Sequence, residues 1–348
     1  MRILVVTPFA ETQWRWFGVD FGSPDYEWTF ENTDLFGRKP QHWLITALKL
    51  AKKAPKFDVV ISHHPYMSLY FALAIKILRV KVKHFAFSFN HGNGRFFKGP
   101  LLLIAQWVFP DIAGFVVFSK AERFLYSERY GIPVNKLSFT PWAVNAPKIK
   151  GEAPEYILKH KPYACCIGRN NRDFSLFIQV LTESEYNGIL VCPAGKIDTS
   201  NIPKNIIIKH DLPMDEAVHV MNNAIVNVVP IIDASTGAGH MTIVSSMQLG
   251  KPQIVSLFDT VTDYFVDKEH GYYVKAGDVG EMKNALELMF DNSELRNRMA
   301  ENAKKFAEEW LMEKTSKSFL LNYLAAVKNN TSIPIEPDGW GIDKRKGM

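Results

Sequence analysis

The sequence predicts an α/β protein of two Rossmann-like domains facing a cleft, and three observations carry that expectation. Short, near-continuous apolar runs alternate with helical patterns along most of the chain. Apolar strands separated by helices imply parallel sheets covered on both faces. The alternation stops at Pro147-Lys148-Ile149-Lys150-Gly151-Glu152-Ala153-Pro154, a linker by its proline, glycine and charge content, and then restarts. At 348 residues there is chain enough for about two domains, at roughly 100–200 residues each.

In the first half, strands are expected at 3–6, 59–62, 82–87, 115–118 and 137–140, with helices at 41–53, 66–78, 101–109 and 120–130 between them. The opening MRILVVTPF is too short for the apolar region and cleavage site of a signal peptide and reads as the first strand. Residues 7–39 form a long loop rich in aromatics, and loops of this length tend to be functional. In the second half, strands are expected at 163–167, 188–191, 205–208, 226–229 and 253–256, and helices at 174–181, 214–222, 241–249 and 281–289. Residues 294–328 read as a long helical stretch with Phe306, Trp310, Phe319 and Tyr323, and the tail from Ser332 as loosely ordered.

Composition narrows the class. Hydrophobic residues make up 47% and charged residues 22%, ordinary for packed globular domains. Residues 1–150 hold 20 basic against 10 acidic side chains, and 51–100 hold nine basic against Asp58 alone. Such a basic half suits an anionic membrane surface or a phosphate-bearing acceptor; no nucleic-acid partner is expected. The alternative is that the lysines solubilise exposed helix faces. Cys165, Cys166 and Cys192 form neither a disulfide framework nor a zinc spacing, so a reducing cytoplasm is the simplest setting. The longest apolar stretch, 100–112, falls short of a membrane span. With Arg95, Phe96, Phe97 and Lys98 before it, it has the composition of an interfacial helix; the competing reading is a helix buried under the sheet.

The most informative stretch is 226–278. An apolar run leads into Ala234-Ser235-Thr236-Gly237-Ala238-Gly239, which opens onto a helical segment ending at Gly250. A strand, a glycine-rich turn and a helix N-terminus direct unpaired N–H groups and the positive dipole end at one point, a ready site for phosphate or pyrophosphate.

This stretch resembles the donor-binding segment of the GT-B glycosyltransferases, most closely family 4. The match runs through Met247-Gln248-Leu249-Gly250-Lys251-Pro252, Asp263-Tyr264, Gly271 and Gly277-Asp278. Backwards it takes in Gly168-Arg169 with Arg172, the 119–145 block with Tyr130-Gly131-Ile132-Pro133, and the strand ending at His63-His64-Pro65. The resemblance covers about 58–310. It implies a GT-B fold whose last helix crosses back onto the N-terminal domain. The expected layout is an acceptor-side domain at 1–146 plus a helix at about 312–330, a nucleotide-sugar domain at 155–311, and a tail at 331–348.

The implied activity is transfer of a sugar from a nucleotide diphosphate sugar to a glycan or lipid-linked acceptor, with no cofactor and no metal. The setting is cell-surface polysaccharide or glycolipid synthesis in the cytoplasm, peripheral to the inner face of the membrane. Arg169 and Arg172 stand where the family's basic pair meets the donor diphosphate, and fixed positive charge stabilises the departing pyrophosphate. Ser235, Thr236, Gly237, Gly239, His240, Thr242 and Ser245 complete the donor set, with His240 and Thr242 best placed to add to the backbone donors. His91 stands where the family places a histidine facing the donor sugar, as a base or a hydrogen-bond partner. Trp14, Trp16, Asp20 and His64 are acceptor-side candidates, Asp20 as a base if the reaction inverts; the loop aromatics could equally form a small satellite core.

The chain departs from the family at one place. The usual two glutamates, eight positions apart, are replaced by Gly237 and Ser245. Either Asp233, Ser235, Thr242 and Ser245 supply neutral hydrogen bonds instead, or the donor sits differently. Two other classes follow from the same residues: a sugar-nucleotide epimerase or hydrolase of this fold, and a non-catalytic subunit that binds a partner.

Overall fold

A computed structural model of the chain describes residues 1–9, 25–35, 37–90 and 99–341. It divides into two compact units, Met1–Val144 with Glu313–Asp338, and Asn145–Met312 with the residues from Gly339.

The first unit is a parallel sheet wrapped by helices. Its strands are β1 (Arg2–Thr7), β2 (Glu27–Asn32), β3 (Val59–His63), β4 (Lys83–Phe87), β5 (Gly114–Val117) and β6 (Leu137–Phe139), in the order β2-β1-β3-β4-β5-β6. Helices α1 (Pro40–Lys53), α2 (Pro65–Ile77), α3 (Pro100–Val108) and α4 (Lys120–Tyr130) connect them. The expected loop over 7–39 therefore contains a strand, β2, paired in register with β1 from Arg2↔Glu27 to Thr7↔Asn32. It was hard to read because edge position leaves it half-buried. Trp28, Thr29 and Phe30 nonetheless have the branched and aromatic character that strands favour.

The second unit repeats the plan. After α5 (Glu155–Lys159) come β7 (Tyr163–Ile167), α6 (Phe174–Ser184), β8 (Asn187–Cys192), β9 (Ile206–His210), α7 (Met214–Asn223), β10 (Val226–Val229), α8 (His240–Gln248), β11 (Gln253–Ser256), β12 (Gly271–Val274), α9 (Val279–Asp291) and α10 (Ser293–Trp310). The sheet order is β12-β11-β10-β7-β8-β9. Strand alternation sends Cys165 and Cys166 to opposite faces. Cys166 joins the core with Phe177 and Leu286, whereas Cys165 joins the one with Val220 and Met221. All three cysteines are free thiols.

The expected helical stretch over 294–328 is two helices, α10 and α11 (Glu313–Asn329). Phe319, Leu320, Tyr323 and Leu324 of α11 complete the first unit's core against Ile3, Val5, Ile61 and Phe85. The tail is not loose as far as it is described. Ile335 accepts a hydrogen bond from the Phe139 N–H at 2.7 Å, Ser138 Oγ donates to Pro334 O at 2.8 Å, and Lys120 pairs with Glu336 at 2.7 Å. Trp340 is buried, edge-on to Trp310 and Phe306. Among the described residues no helix is long and apolar enough to cross a membrane.

Candidate functional site

In an open parallel sheet the crevice for a ligand lies beyond the carboxyl ends of the strands where the strand order reverses. In the second unit that point lies between β7 and β10. The segment leaving β7 and the segment leaving β10 are stitched together there. Asp173 N donates to Pro230 O at 2.9 Å, Arg172 bridges Ile231 in antiparallel fashion, and Asn171 Nδ2 donates to Asp233 O at 2.7 Å. Asp173 then caps α6 by accepting from Leu176 N at 2.9 Å.

Arg172 is the centre of this arrangement. It is 9% exposed, and its Nη1 donates to the carbonyls of Asn170 at 3.1 Å and Asn171 at 3.4 Å. Its Nε has no partner, and no carboxylate pairs with it among the described residues. Burial weakens the guanidinium's hold on its proton. The side chain lies across Gly168, where a Cβ would stand 2.6 Å from Arg172 Cγ and 2.7 Å from Nε. The glycine of the Gly-Arg pair is there to admit the second arginine. Arg169, by contrast, is exposed, with Nη2 3.8 Å from Asp211 Oδ1. The two arginines expected to act as a pair thus have different surroundings.

The loop after β10 is held by its own side chains. Asp233 Oδ1 accepts from Ser235 N at 2.9 Å and from Ser235 Oγ. Thr236 is buried and its Oγ1 donates to Gly237 O at 3.2 Å. Gly239 has φ 94°, and a Cβ there would approach Val229 Cγ1 to 3.1 Å. Glycine is required by both backbone and space. Because Gly239 is the N-cap, α8 begins with no side-chain cap, leaving its first N–H groups to whatever fills the site.

The His240 side chain is engaged within the second unit. The ring is buried and stacked on Tyr264 at 4.5 Å, and its Nε2 donates to Thr260 O at 2.7 Å. Burial, with a smaller push from Arg172, lowers its pKa to about 4. In the neutral ring Nδ1 is then the acceptor, and His240 braces the loop at Thr260. Thr242 Oγ1 is directed to Ile167 O at 3.5 Å, and Ser245 lies half-buried further along α8.

The first unit's reversal point lies between β1 and β3. Thr7 Oγ1 faces His63 Nδ1 at 3.4 Å. His64, at φ 80°, is the N-cap of α2, its Nδ1 accepting from Tyr66 N at 3.3 Å, and its ring stacks on Tyr66 at 5.7 Å. Burial lowers its pKa to about 4. His91, Trp14, Trp16 and Asp20 lie outside the described residues. Asn90, next to His91, donates to Glu122 Oε1 at 3.1 Å. Glu122 is fully buried, and its Oε2 accepts from Phe118 N and Ser119 Oγ. Sequence reasoning passed over Glu122, although Ser119-x-x-Glu122 is a capping-box spacing. Asn171 was likewise missed, since nothing local announces its bond to Asp233.

Residues 161–306 match the family model described as glycosyl transferases group 1, and residues 24–146 match the model of glycosyltransferase family 4. No curated protein matches the chain. Among solved structures, HepE of Anabaena in complex with UDP-glucose is similar with a TM-score of 0.71 at 13% identity, over 94% of this chain and 100% of that one. A glycosyltransferase from Rickettsia africae is similar at 0.67 and 13%, over 95% and 99% of the two chains. Sucrose-phosphate synthase from Thermosynechococcus elongatus is similar at 0.67 and 11%, over 95% and 100%. Likeness at these identities concerns the GT-B fold.

Proposed function

We infer that this GT-B glycosyltransferase, which resembles family 4, moves a hexosyl group from a nucleotide diphosphate sugar to a glycan or lipid-linked acceptor, without a metal, in cell-surface polysaccharide or glycolipid synthesis. The observation that carries this reading is Arg172, a buried guanidinium with carbonyl partners only and an unpaired Nε. A buried charge without a counter-ion is costly, and a diphosphate at the uncapped start of α8 would supply the missing anion. Arg169, at the rim, is placed to meet the same anion from solvent. As the bond from sugar to diphosphate breaks, negative charge grows on the leaving group. Fixed cations and backbone N–H groups then stabilise that charge without reorganising. The first unit, basic in sequence, would receive the acceptor at an anionic membrane surface on its cytoplasmic side.

Gly237 favours one competing reading, a subunit that binds a partner and no donor, since the usual glutamate contact is gone. Thermal shift with UDP, GDP and ADP separates the two. UDP is tried first because the similar HepE structures hold UDP or UDP-glucose. A ligand that binds only the folded state raises stability by about 2.7 kcal/mol at 100 times its Kd. One nucleotide should stabilise the wild type, Arg172→Gln should lose the response, and Arg169→Ala should weaken it. Silence from all three nucleotides would leave the partner-binding subunit standing.

A further inference from the structure

The crevice of the second unit has two flanks of unlike chemistry. From the reversal point between β7 and β10, β8 and β9 lie to one side and β11 and β12 to the other. The flank towards β9 is polar. Arg169, His210 and Asp211 are exposed there, and Asp211 Oδ2 accepts from Ala194 N at 3.2 Å.

The flank towards β11 is apolar. Ile232, Met241 and Leu257 are 56%, 53% and 49% exposed. They come from three segments that meet at Ile231. Ile231 N donates to Ser256 Oγ, one residue before Leu257, at 3.0 Å. A Cβ on Gly239, two residues before Met241, would stand 3.4 Å from Ile231 Cδ1. Ile231 is also the residue that bridges Arg172, so the exposed trio borders the point where the diphosphate would sit. Apolar side chains scattered singly over a surface are ordinary, but a group beside a binding point carries meaning. Of the acids on this flank, Asp233 is taken up by Ser235 and Asn171, Asp263 is buried, and Asp259 is exposed.

A nucleotide sugar carries its nucleoside and its sugar on opposite sides of the diphosphate. Base edges and ribose hydroxyls call for hydrogen-bond partners, which the β9 flank offers, and the sugar is left to the β11 flank. A fully hydroxylated ring set against Ile232, Met241 and Leu257 would lose hydrogen bonds to water without replacing them. A methyl group at the same place would gain by leaving water.

We propose that the transferred sugar bears a methyl group, as a 6-deoxy sugar or an N-acetylated amino sugar does, and that Ile232, Met241 and Leu257 select it. This rests on the donor reading above. The test is calorimetric titration of the full-length chain with UDP, UDP-glucose, UDP-6-deoxyglucose and UDP-N-acetylglucosamine. If GDP or ADP is the nucleotide that binds, the same sugars are presented on that base. At least one methyl-bearing donor should bind about tenfold more tightly than the glucose donor, the lower end of what a methylene contributes in an apolar pocket. Which of the two does so tells deoxy from acetamido. The double variant Ile232→Ser, Leu257→Ser should bring the donors within about twofold of each other. It should keep the wild-type melting temperature and the wild-type affinity for the bare nucleotide. The assignment is overturned if the glucose donor binds as tightly as both methyl-bearing ones, or if the preference survives in the double variant. In either case the bare nucleotide still binds, and the donor reading stands. A chain that binds no nucleotide and no sugar nucleotide removes both.

Discussion

The two units place a strand-order reversal at the same point of the same kind of sheet, and they fill it with opposite chemistry. Between β1 and β3 the side chains are Thr7, His63 and His64, packed among aromatic rings. Burial pushes both histidines well towards the neutral form. Between β7 and β10 there are a buried arginine, a glycine that makes room for it, and a helix start left uncapped. The comparison separates what the fold provides from what residues provide. Parallel β/α topology makes a crevice in each unit, and the side chains at the strand ends decide whether it suits a neutral ring or an anion.

The largest effect that tests this contrast is at Arg172. Arg172→Gln should lower nucleotide affinity about a hundredfold, in line with truncating one partner of a buried charge pair. His64→Asn, in the other crevice, should leave the nucleotide response within about twofold of wild type, since a short polar side chain keeps both the positive φ and the cap. Calorimetric titration of the two variants decides it. Equal losses would mean that the contrast has no functional content.

Acid should act next, and unequally. An unfolded histidine takes up its proton near pH 6.5, whereas in the fold His64 and His240 resist until about pH 4 and His84 until about pH 3. Between those values the unfolded chain binds more protons, so stability is full above about pH 7 and falls as pH drops below 6.5, by a few kcal/mol at most per ring. His63, His64 and His84 are in the first unit, and protonating His64 Nδ1 would also remove the α2 cap. Proteolysis mapped at pH 7.5 and pH 5.5 should therefore open the first unit before the second.

Gly239→Ala should cost about 1–3 kcal/mol, the usual range for a non-glycine residue held at an unfavourable φ. It should also blunt the nucleotide response by shifting the start of α8. Ser119→Ala, which removes the α4 cap and one Glu122 partner, should cost about 1 kcal/mol and leave that response unchanged. Smallest of all, Asp211→Asn should change stability by less than about 1 kcal/mol, because its arginine partner is exposed. Urea melts with and without nucleotide rank the three.

Much of this was legible in the sequence because central parallel strands are buried on both faces. Ile3–Val6 and Val226–Val229 announce themselves by apolar character alone. Glu27–Asn32 does not, since an edge strand carries only a partly apolar pattern. Neither does Gly271–Val274, a short edge strand that opens on a glycine pressed against Gln253. In the site, the glycine-rich loop and the two arginines could be found from spacing. Their unequal burial could not, because it depends on Arg172 folding back over Gly168 and on Ile231 pairing some sixty positions away. The task of His240 was hidden for the same reason, being set by Thr260 and Tyr264.

The end of the chain has a practical consequence. Residues up to Asp338 belong to the first unit and those from Gly339 to the second. Ile335 completes a hydrogen bond at the β6 edge, and Trp340 fills a place beside Phe306 and Trp310. Neither unit is therefore one continuous piece of sequence. Cutting the gene at the end of α11, a natural choice for trimming a tail, would strip a partner from each unit at once.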